Sequence, residues 1–166
     1  KTLHLASMMQ NKGQLIALDI YESKLKKLKV RARRNGVHNV ETRVIDSNKV
    51  IKKLHNSADR VLLDAPCSGL GVIKRNPDSK WKLEPEFVDR IMGVQQDILQ
   101  NYSKMVKKGG QMVYATCSVL PQENSEQVKK FLESENGKDF EFVKERNVFA
   151  SETGFDGFYM ALLKKQ

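Results

Sequence analysis

Short apolar segments alternate with amphipathic segments along this chain, and several of the apolar segments end at a polar residue. Short apolar runs bounded by turn residues predict buried strands, and apolar residues at helical spacing predict helices. Strands that alternate with helices indicate a mostly parallel sheet with right-handed crossovers. We therefore expect an α/β fold, with the last two strands forming an antiparallel hairpin.

The predicted elements fill most of the chain and leave no boundary between domains, so residues 1–166 are interpreted as one domain. Strands are predicted at 14–20, 40–45, 111–115, 140–144 and 158–163, together with one that ends at Asp64. Helices are predicted at 1–10, 21–34, 85–106 and 123–133, with a short amphipathic segment at 50–55. Residues 71–82 show no clear period and are interpreted as an irregular basic segment.

Polar side chains stand at the ends of four predicted strands: Asp19, Asp46, Asp64 and the pair Thr116-Cys117. In open α/β sheets the carboxyl ends of the strands are where ligands bind. Pro66 cannot donate to a sheet ladder, so the strand before it stops at about Asp64 and leaves Cys67 just beyond. A single aspartate in such a place is more often a helix cap or turn residue. Four such endings favour a shared functional edge.

The composition of the chain limits the classes of partner that it is expected to bind. The formal net charge of +9 suggests a polyanionic partner, most simply nucleic acid, although an ordinary basic domain is the plainer alternative. No apolar run reaches membrane-spanning length, so no membrane partner is expected. Cys67 and Cys117 are the only cysteines, and they form neither a CxxC pair nor a Cys/His cluster. No metal site is therefore predicted, and two free thiols favour a cytoplasmic protein.

Four stretches carry a family resemblance: DAPCSGLGVIKRNPD, QQDIL, KKGGQMVYATCSVLPQEN and DGFYMALL. They resemble the Sun/Fmu family (RsmB-like, Nop/Sun) of RNA cytosine-5 methyltransferases, which use S-adenosylmethionine, and the similarity runs from Lys1 to the end of the chain. Its most specific part is the pairing of Pro66-Cys67 with Thr116-Cys117. Residues 74–81 are similar to the bacterial small-subunit ribosomal RNA enzymes. The resemblance implies a Rossmann-like methyltransferase sheet.

Two thiols beside a carboxylate suit methylation at carbon 5 of cytosine. A thiolate that adds to carbon 6 makes carbon 5 nucleophilic, and an acid must supply a proton at ring nitrogen 3. Asp64, which is expected to be partly buried at its strand end, is the candidate for that acid. The residues alone leave the nucleophile open, because DNA cytosine methyltransferases use a Pro-Cys thiol like Cys67, and each thiol alone is more often a buried structural cysteine. The resemblance implies that Cys117 is the nucleophile, that Cys67 assists product release, and that Asp64 is the acid near methyl donor and base.

The resemblance also assigns the cofactor contacts. Asp19 matches the carboxylate that accepts hydrogen bonds from the ribose hydroxyls, and Asp46 matches the carboxylate that accepts one from the adenine amino group. Lys1 matches the end of a glycine-rich cofactor loop, and Asp64 matches the acidic residue beside the methyl donor. A turn carboxylate is an equal alternative for Asp46. The family's first strand and glycine-rich loop are expected before Lys1, so we interpret the chain as a carboxyl-terminal catalytic portion that binds S-adenosylmethionine weakly or not at all by itself.

Three basic residues just after Cys67 are the candidates for contact with RNA: Lys74, Arg75 and Lys80. The helix at 21–34 also has a basic face, but an ordinary solvent-exposed surface explains that face at least as well as contact with RNA phosphates. Trp81 is interpreted as a packing anchor, with stacking on a base as the alternative. We expect ribosomal RNA as the substrate and a monomeric enzyme. Transfer RNA is the alternative substrate, and a non-catalytic RNA-binding fragment is the alternative function.

Overall fold

The computed structural model describes all 166 residues, Lys1–Gln166. It divides into two compact units, residues 1–53 and residues 54–166. This division does not decide whether the chain works as one domain, so the single-domain interpretation stays a prediction. None of the helices is long and apolar enough to span a membrane.

The first unit is a small α/β layer. Its elements in chain order are α1 (Thr2–Met8), β1 (Leu15–Asp19), α2 (Glu22–Arg34), β2 (Val40–Val44) and α3 (Asn48–Lys52). Strands β1 and β2 pair in parallel, with Leu15 opposite Val40 and Asp19 opposite Val44. The carboxyl ends of both strands therefore lie at the same edge of this two-stranded sheet.

Local sequence explains where α2 ends. Gly36 adopts a left-handed φ of +63°, which a residue without Cβ accepts at little cost. The N–H groups of Gly36 and Val37 then donate to the carbonyls of Arg33 and Ala32, at 3.2 and 2.9 Å. These two bonds form a Schellman motif, which satisfies carbonyls at the helix end that have no partner within the helix.

The second unit holds a four-stranded sheet in the order β3-β4-β6-β5. Its strands are β3 (Ala58–Asp64), β4 (Val106–Thr116), β5 (Phe140–Val148) and β6 (Phe158–Lys165). Its helices are α4 (Ser79–Lys82), α5 (Pro85–Tyr102), α6 (Ser125–Leu132) and α7 (Ala150–Thr153), with 3-10 turns at Leu70–Val72, Ser103–Met105 and Pro121–Glu123. Strands β3 and β4 are parallel, whereas β6 runs antiparallel to both β4 and β5.

The α/β fold with parallel strands and an antiparallel carboxyl-terminal hairpin is thus confirmed. One difference is that the strands lie in two sheets rather than in one, since β1 pairs only with β2 and β3 only with β4. The prediction that β3 is a buried strand holds for only one of its faces. Val61 and Leu63 are buried but Leu62 is 41% exposed. Successive strand side chains point to opposite faces, so only one face of β3 is covered within its unit.

Strand β4 is longer than predicted. The glycines after Lys108 were expected to precede it, yet they lie inside it as a bulge. Residues 107–110 stand opposite Asp59 alone, because Ala58 pairs with Val106 and Arg60 pairs with Gln111. Gly109 takes a φ of +75° there, and Lys107 forms an ion pair with Asp59 whose hydrogen bond lowers the pKa of that carboxyl. A bulge of this kind absorbs residues without ending the strand.

Aromatic side chains dominate the core of the second unit. Tyr114 of β4 and Tyr159 of β6 are fully buried, with ring centroids 6.4 Å apart in an edge-to-face arrangement. Phe131 of α6 packs edge-on against Phe140 of β5 at 5.5 Å. The Phe131–Phe140 contact holds α6 on the sheet, and the Tyr114–Tyr159 contact joins β4 to β6.

Candidate active site

The candidate site is formed by the two loops that leave β3 and β4. These strands are parallel neighbours, and Asp64 lies opposite Ala115 at their ends. The N–H group of Ala65 donates to the carbonyl of Ala115 at 2.9 Å, which extends the pairing one step further. We call residues 65–71 the first thiol loop and residues 117–124 the second thiol loop. Both loops start from the same edge of the sheet.

The two cysteines meet at this edge. Their Sγ atoms are 3.3 Å apart, within hydrogen-bonding distance for sulfur, and both side chains are half-buried free thiols. The hydrogen bond with Cys117 raises the pKa of Cys67, and burial raises it further. Cys67 is therefore a neutral thiol at physiological pH, facing the other sulfur. The predicted convergence of the two thiols is confirmed, while their catalytic roles stay predictions.

Asp64 is placed differently from what the sequence suggested. It is the last residue of β3, as predicted, but its side chain is exposed rather than partly buried. It alternates with the buried Leu63 and Ala65, so it belongs to the open face of the strand. A carboxylate on that face is accessible to a ligand, and its role as the acid stays a prediction.

Behind the thiols lies a network of buried polar groups that sequence reasoning did not identify. Its centre is Glu123, at the end of the second thiol loop and fully buried. Its carboxylate accepts hydrogen bonds from the N–H of Ser68 at 2.7 Å, from Nε2 of Gln95 at 3.1 Å, and from the hydroxyls of Ser68 and Ser118. The network therefore ties both thiol loops to α5.

A second set of bonds folds the second thiol loop onto itself. The Thr116 hydroxyl donates to Oδ1 of Asn124 at 2.5 Å, and Nδ2 of Asn124 donates to the carbonyl of Ser118 at 3.0 Å. The buried hydroxyl of Tyr114 donates to the carbonyl of Glu123 at 2.8 Å, and its burial raises the tyrosine pKa. Cys117 is thus held inside a short loop whose backbone is anchored at both ends.

Two backbone hydrogen bonds connect the thiol loops to the segment before β6. Gly71 donates its N–H to the carbonyl of Cys117 at 2.9 Å, and its own carbonyl accepts from the N–H of Gly157 at 2.7 Å. A Cβ on Gly71 would collide with the carbonyl oxygen of Gly157 and lie 2.7 Å from that of Cys117. Only glycine permits this approach.

The first unit carries the residues predicted to contact the cofactor. Oδ1 of Asp19 accepts from the N–H of Tyr21 at 2.8 Å, and its Oδ2 lies 3.8 Å from Nζ of Lys24. Asp46 is exposed, two residues beyond the end of β2, and accepts from the Ser47 hydroxyl at 2.9 Å. These are the contacts of turn carboxylates, the alternative considered for both. Lys1 is exposed just before α1. Their binding roles stay predictions.

The basic segment after Cys67 borders a cavity of about 530 Å³. The residues that line it are Ser68, Arg75, Asn76, Pro77, Asp78, Ser79, Lys82, Leu83 and Phe87. Arg75 pairs with Asp156 at 2.8 Å, whereas the ammonium of Lys80 lies 4.8 Å from the centre of the Trp81 ring. Trp81 is 80% exposed, so its interpretation as a packing anchor was wrong. Lys74 is also exposed.

One feature of the sequence indicated this network of buried polar groups. Gln95 lies four residues from both Ile91 and Leu99, on the apolar side of α5, where a polar side chain needs a buried partner. The neighbouring Val94, although apolar, is 39% exposed. Glu123 was expected to begin a helix, but α6 starts at Ser125.

The structure holds no cluster of three or more His, Cys, Asp or Glu side chains able to bind a metal.

Residues 1–164 match the family model described as 16S rRNA methyltransferase RsmB/F. The chain belongs to the RsmB/F family. A curated relative, the probable ribosomal RNA small subunit methyltransferase B of Bacillus subtilis, is 34% identical, and the match covers 100% of this chain and 41% of the relative.

Solved structures agree with the RsmB/F assignment. The crystal structure of PH0851 matches with a TM-score of 0.91 and 32% identity, covering 99% of this chain and 40% of that one. NSun6 from Pyrococcus horikoshii, solved with SFG, matches with a TM-score of 0.85 and 28% identity, covering 99% and 44%. The chain thus spans about two fifths of the length of these relatives.

Proposed function

We propose that the protein carrying this chain transfers a methyl group from S-adenosylmethionine to carbon 5 of a cytosine in RNA. The family match and the names of its relatives support an RNA methyltransferase acting on small-subunit ribosomal RNA. The observation that carries cytosine chemistry is the pair of thiols 3.3 Å apart at the ends of two parallel strands. A methyltransferase acting on a nucleophilic nitrogen or oxygen needs no such pair.

In the proposed reaction Cys117 is the nucleophile. Its sulfur adds to carbon 6 of the ring, while Asp64 supplies a proton at nitrogen 3. Carbon 5 then attacks the methyl carbon, whose bond to the sulfonium breaks. A base, in the simplest case water, removes the proton from carbon 5. The bond from carbon 6 to sulfur then breaks, the electron pair returns to Cys117, and the proton on nitrogen 3 returns to Asp64.

The division of roles follows the family resemblance, and the contact between the two sulfurs is consistent with it. Either sulfur of the pair can donate to the other, so the Cys67 thiol is the donor whenever Cys117 carries the negative charge. A neutral donor beside a sulfur stabilises negative charge on that sulfur. Negative charge appears on Cys117 when the product leaves, so we assign Cys67 to product release.

Two carboxylates of the first unit are able to bind the proposed cofactor, S-adenosylmethionine. S-adenosylmethionine supplies an electrophilic methyl on a nucleoside. Asp19 and Asp46 follow two parallel strands at one edge of a sheet, and carboxylates there accept hydrogen bonds from ribose hydroxyls and an adenine amino group. The solved relative NSun6 contains SFG, an analogue of this cofactor. Lys1 of this unit is a further proposed contact of the cofactor, and Asp64 of the second unit is proposed separately as a residue beside the methyl donor.

The RNA surface is proposed to include Lys74, Arg75 and Lys80. They follow the first thiol loop in the chain. Arg75 lines the cavity, which is large enough to accept part of a nucleotide, and Lys74 and Lys80 are each next in the chain to a residue that lines it. The exposed Trp81 ring adds a flat apolar face on which a base can stack. The target cytosine must leave its stack to reach the thiols. We place this reaction in the cytoplasm and expect a monomeric enzyme.

Covalent trapping tests the proposal. The natural-length protein and its Cys67→Ala and Cys117→Ala variants are incubated with S-adenosylmethionine and either ribosomal or transfer RNA, and the products are separated under denaturing conditions. We expect a lasting RNA adduct for Cys67→Ala with ribosomal RNA, because release is blocked after addition. We expect none for Cys117→Ala.

Each other outcome has a definite meaning. An adduct for Cys117→Ala but not for Cys67→Ala exchanges the two roles. An adduct formed only with transfer RNA changes the substrate. RNA binding without an adduct or methylation in any variant supports the alternative of a non-catalytic RNA-binding protein.

A further inference from the structure

Glu123 is a fully buried carboxylate that the proposed reaction does not use. Removing a carboxylate from water costs several kcal/mol unless hydrogen bonds replace the lost hydration. An apolar side chain would fill the same space at lower cost. The presence of a carboxylate here therefore needs an explanation from what it contacts.

The partners of Glu123 come from both thiol loops. Ser68 directly follows Cys67, and it donates both its N–H, at 2.7 Å, and its hydroxyl, at 2.5 Å. Ser118 directly follows Cys117, and its hydroxyl donates to the same carboxylate oxygen as the Ser68 hydroxyl. One carboxylate thus holds the residue after each thiol, and the two hydroxyls lie 3.2 Å from each other.

A third element fixes the carboxylate itself. Nε2 of the buried Gln95 on α5 donates to Oε1 of Glu123 at 3.1 Å and to the carbonyl of Pro66 at 2.9 Å. Pro66 directly precedes Cys67, so the first thiol is held on both sides. The carboxylate accepts four hydrogen bonds, and every donor belongs to a thiol loop or to the helix behind it.

We propose that Glu123 is a positioning residue that sets the distance and relative orientation of the Cys67 and Cys117 thiols. No other side chain receives hydrogen bonds from the residues that follow both cysteines. The consequence for methyl transfer rests on the proposed function, whereas the thiol geometry does not depend on it. A misplacement of about 1 Å at a reacting centre lowers a rate about 100-fold.

The conservative variant is informative because its hydrogen bonds are predictable. In Glu123→Gln the amide oxygen can accept from the Ser68 N–H and from Gln95. The amide NH₂ can then donate to the two serine hydroxyls, which rotate to accept. Glu123→Ala loses all four bonds. Glu126→Ala, an exposed glutamate on the adjacent helix, is the matched control.

Phenylarsine oxide is the probe for thiol geometry, because one arsenic atom bridges two thiols that lie close together. Its rate of capture by the natural-length protein needs no RNA and no cofactor, and Cys67→Ala serves as the blank. We expect capture to slow at least 10-fold in Glu123→Ala and to stay near the wild-type rate in Glu123→Gln and Glu126→Ala. Methylation assays should show kcat about 100-fold lower in Glu123→Ala, with KM for S-adenosylmethionine within twofold.

Folding is checked by circular dichroism at the assay temperature. If Glu123→Ala does not fold, Ser68→Ala and Ser118→Ala each remove a hydroxyl donor and should slow capture about threefold. Wild-type capture in a folded Glu123→Ala, or in both serine variants, overturns the proposal, as does a Glu123→Gln variant as slow as Glu123→Ala. Slow capture by Glu123→Ala in a protein without methylation activity supports the positioning role and refutes the proposed function alone.

Discussion

Replacing Gly71 by alanine should distort the candidate site, because the added Cβ would displace backbone atoms around it. A Cβ there would meet the carbonyl groups of Gly157 and Cys117, which are atoms of the main chain and cannot rotate away. Relieving the collision requires the two hydrogen bonds that Gly71 makes with these residues to lengthen or break. The substitution therefore separates the second thiol loop from the first.

The expected cost follows from those contacts. Two backbone hydrogen bonds contribute about 1 kcal/mol each to net stability. Forcing an extra carbon into a closely packed site costs about 1–3 kcal/mol more. We expect Gly71→Ala to lower the free energy of unfolding by about 3–5 kcal/mol. Hydrogen exchange at the Gly157 amide should accelerate, because its acceptor is displaced.

A second glycine provides a control of opposite sign. Gly93 lies exposed in the middle of α5, and a Cβ there would meet nothing within 4 Å. Alanine at this position should stabilise the protein by about 0.5–1 kcal/mol, because glycine is the poorer helix former. Urea unfolding of both variants measures the difference. A Gly71→Ala variant within about 0.5 kcal/mol of the wild type would refute the steric argument.

Three further predictions concern the thiol, the core and the RNA surface. The pKa of Cys67 is raised in the folded protein, so above about pH 8.5 unfolding releases its proton and the free energy of unfolding falls as pH rises. Cys67→Ser should remove this fall. Its size is below about 1.4 kcal/mol per pH unit, because the group is partly exposed. Phe131→Ala, at a fully buried ring, should cost about 3–5 kcal/mol in urea unfolding, while the 77% exposed Phe155 should tolerate alanine within about 0.5 kcal/mol. Lys80→Ala should lower the slope of log affinity for RNA against log salt by about 1, as measured by filter binding.

Each of these has a clear opposing result. An unchanged alkaline stability profile in Cys67→Ser would show that the thiol pair does not shift the Cys67 pKa. Equal costs for the two phenylalanine variants would contradict the packing of α6 on the sheet. A salt slope that Lys80→Ala leaves unchanged would remove this lysine from the phosphate contacts.

Periodicity was sufficient to predict the longer strands and helices because each of them repeats its apolar residues at a fixed interval, whereas the four-residue helices α4 and α7 are too short to show a period. The positions of Asp64 and Cys117 at strand ends followed from Pro66 and from the turn residues after Thr116. The close approach of the two sulfurs required only that β3 and β4 be parallel neighbours. These parts of the site depend on short-range rules and were therefore accessible from the sequence.

The remaining features depend on long-range pairing. Glu123 contacts Ser68, 55 positions away in the chain, and no local pattern specifies such a partner. The burial of Asp64 was misjudged because a run of apolar residues does not reveal which face of a strand is covered. The extent of β4 was missed because glycines that usually end an element here form a bulge.

The closeness of the two thiols also exposes the site to oxidation. Disulfide sulfurs are about 2.05 Å apart, so the Sγ atoms of Cys67 and Cys117 need to approach by little more than 1 Å. A two-electron oxidant such as diamide, which takes up both thiol hydrogens, should join them and abolish the proposed methylation until dithiothreitol restores it. Mass spectrometry of the linked peptides checks this, and activity that persists in diamide would contradict it. The geometry that suits the reaction thus ties it to a reducing environment.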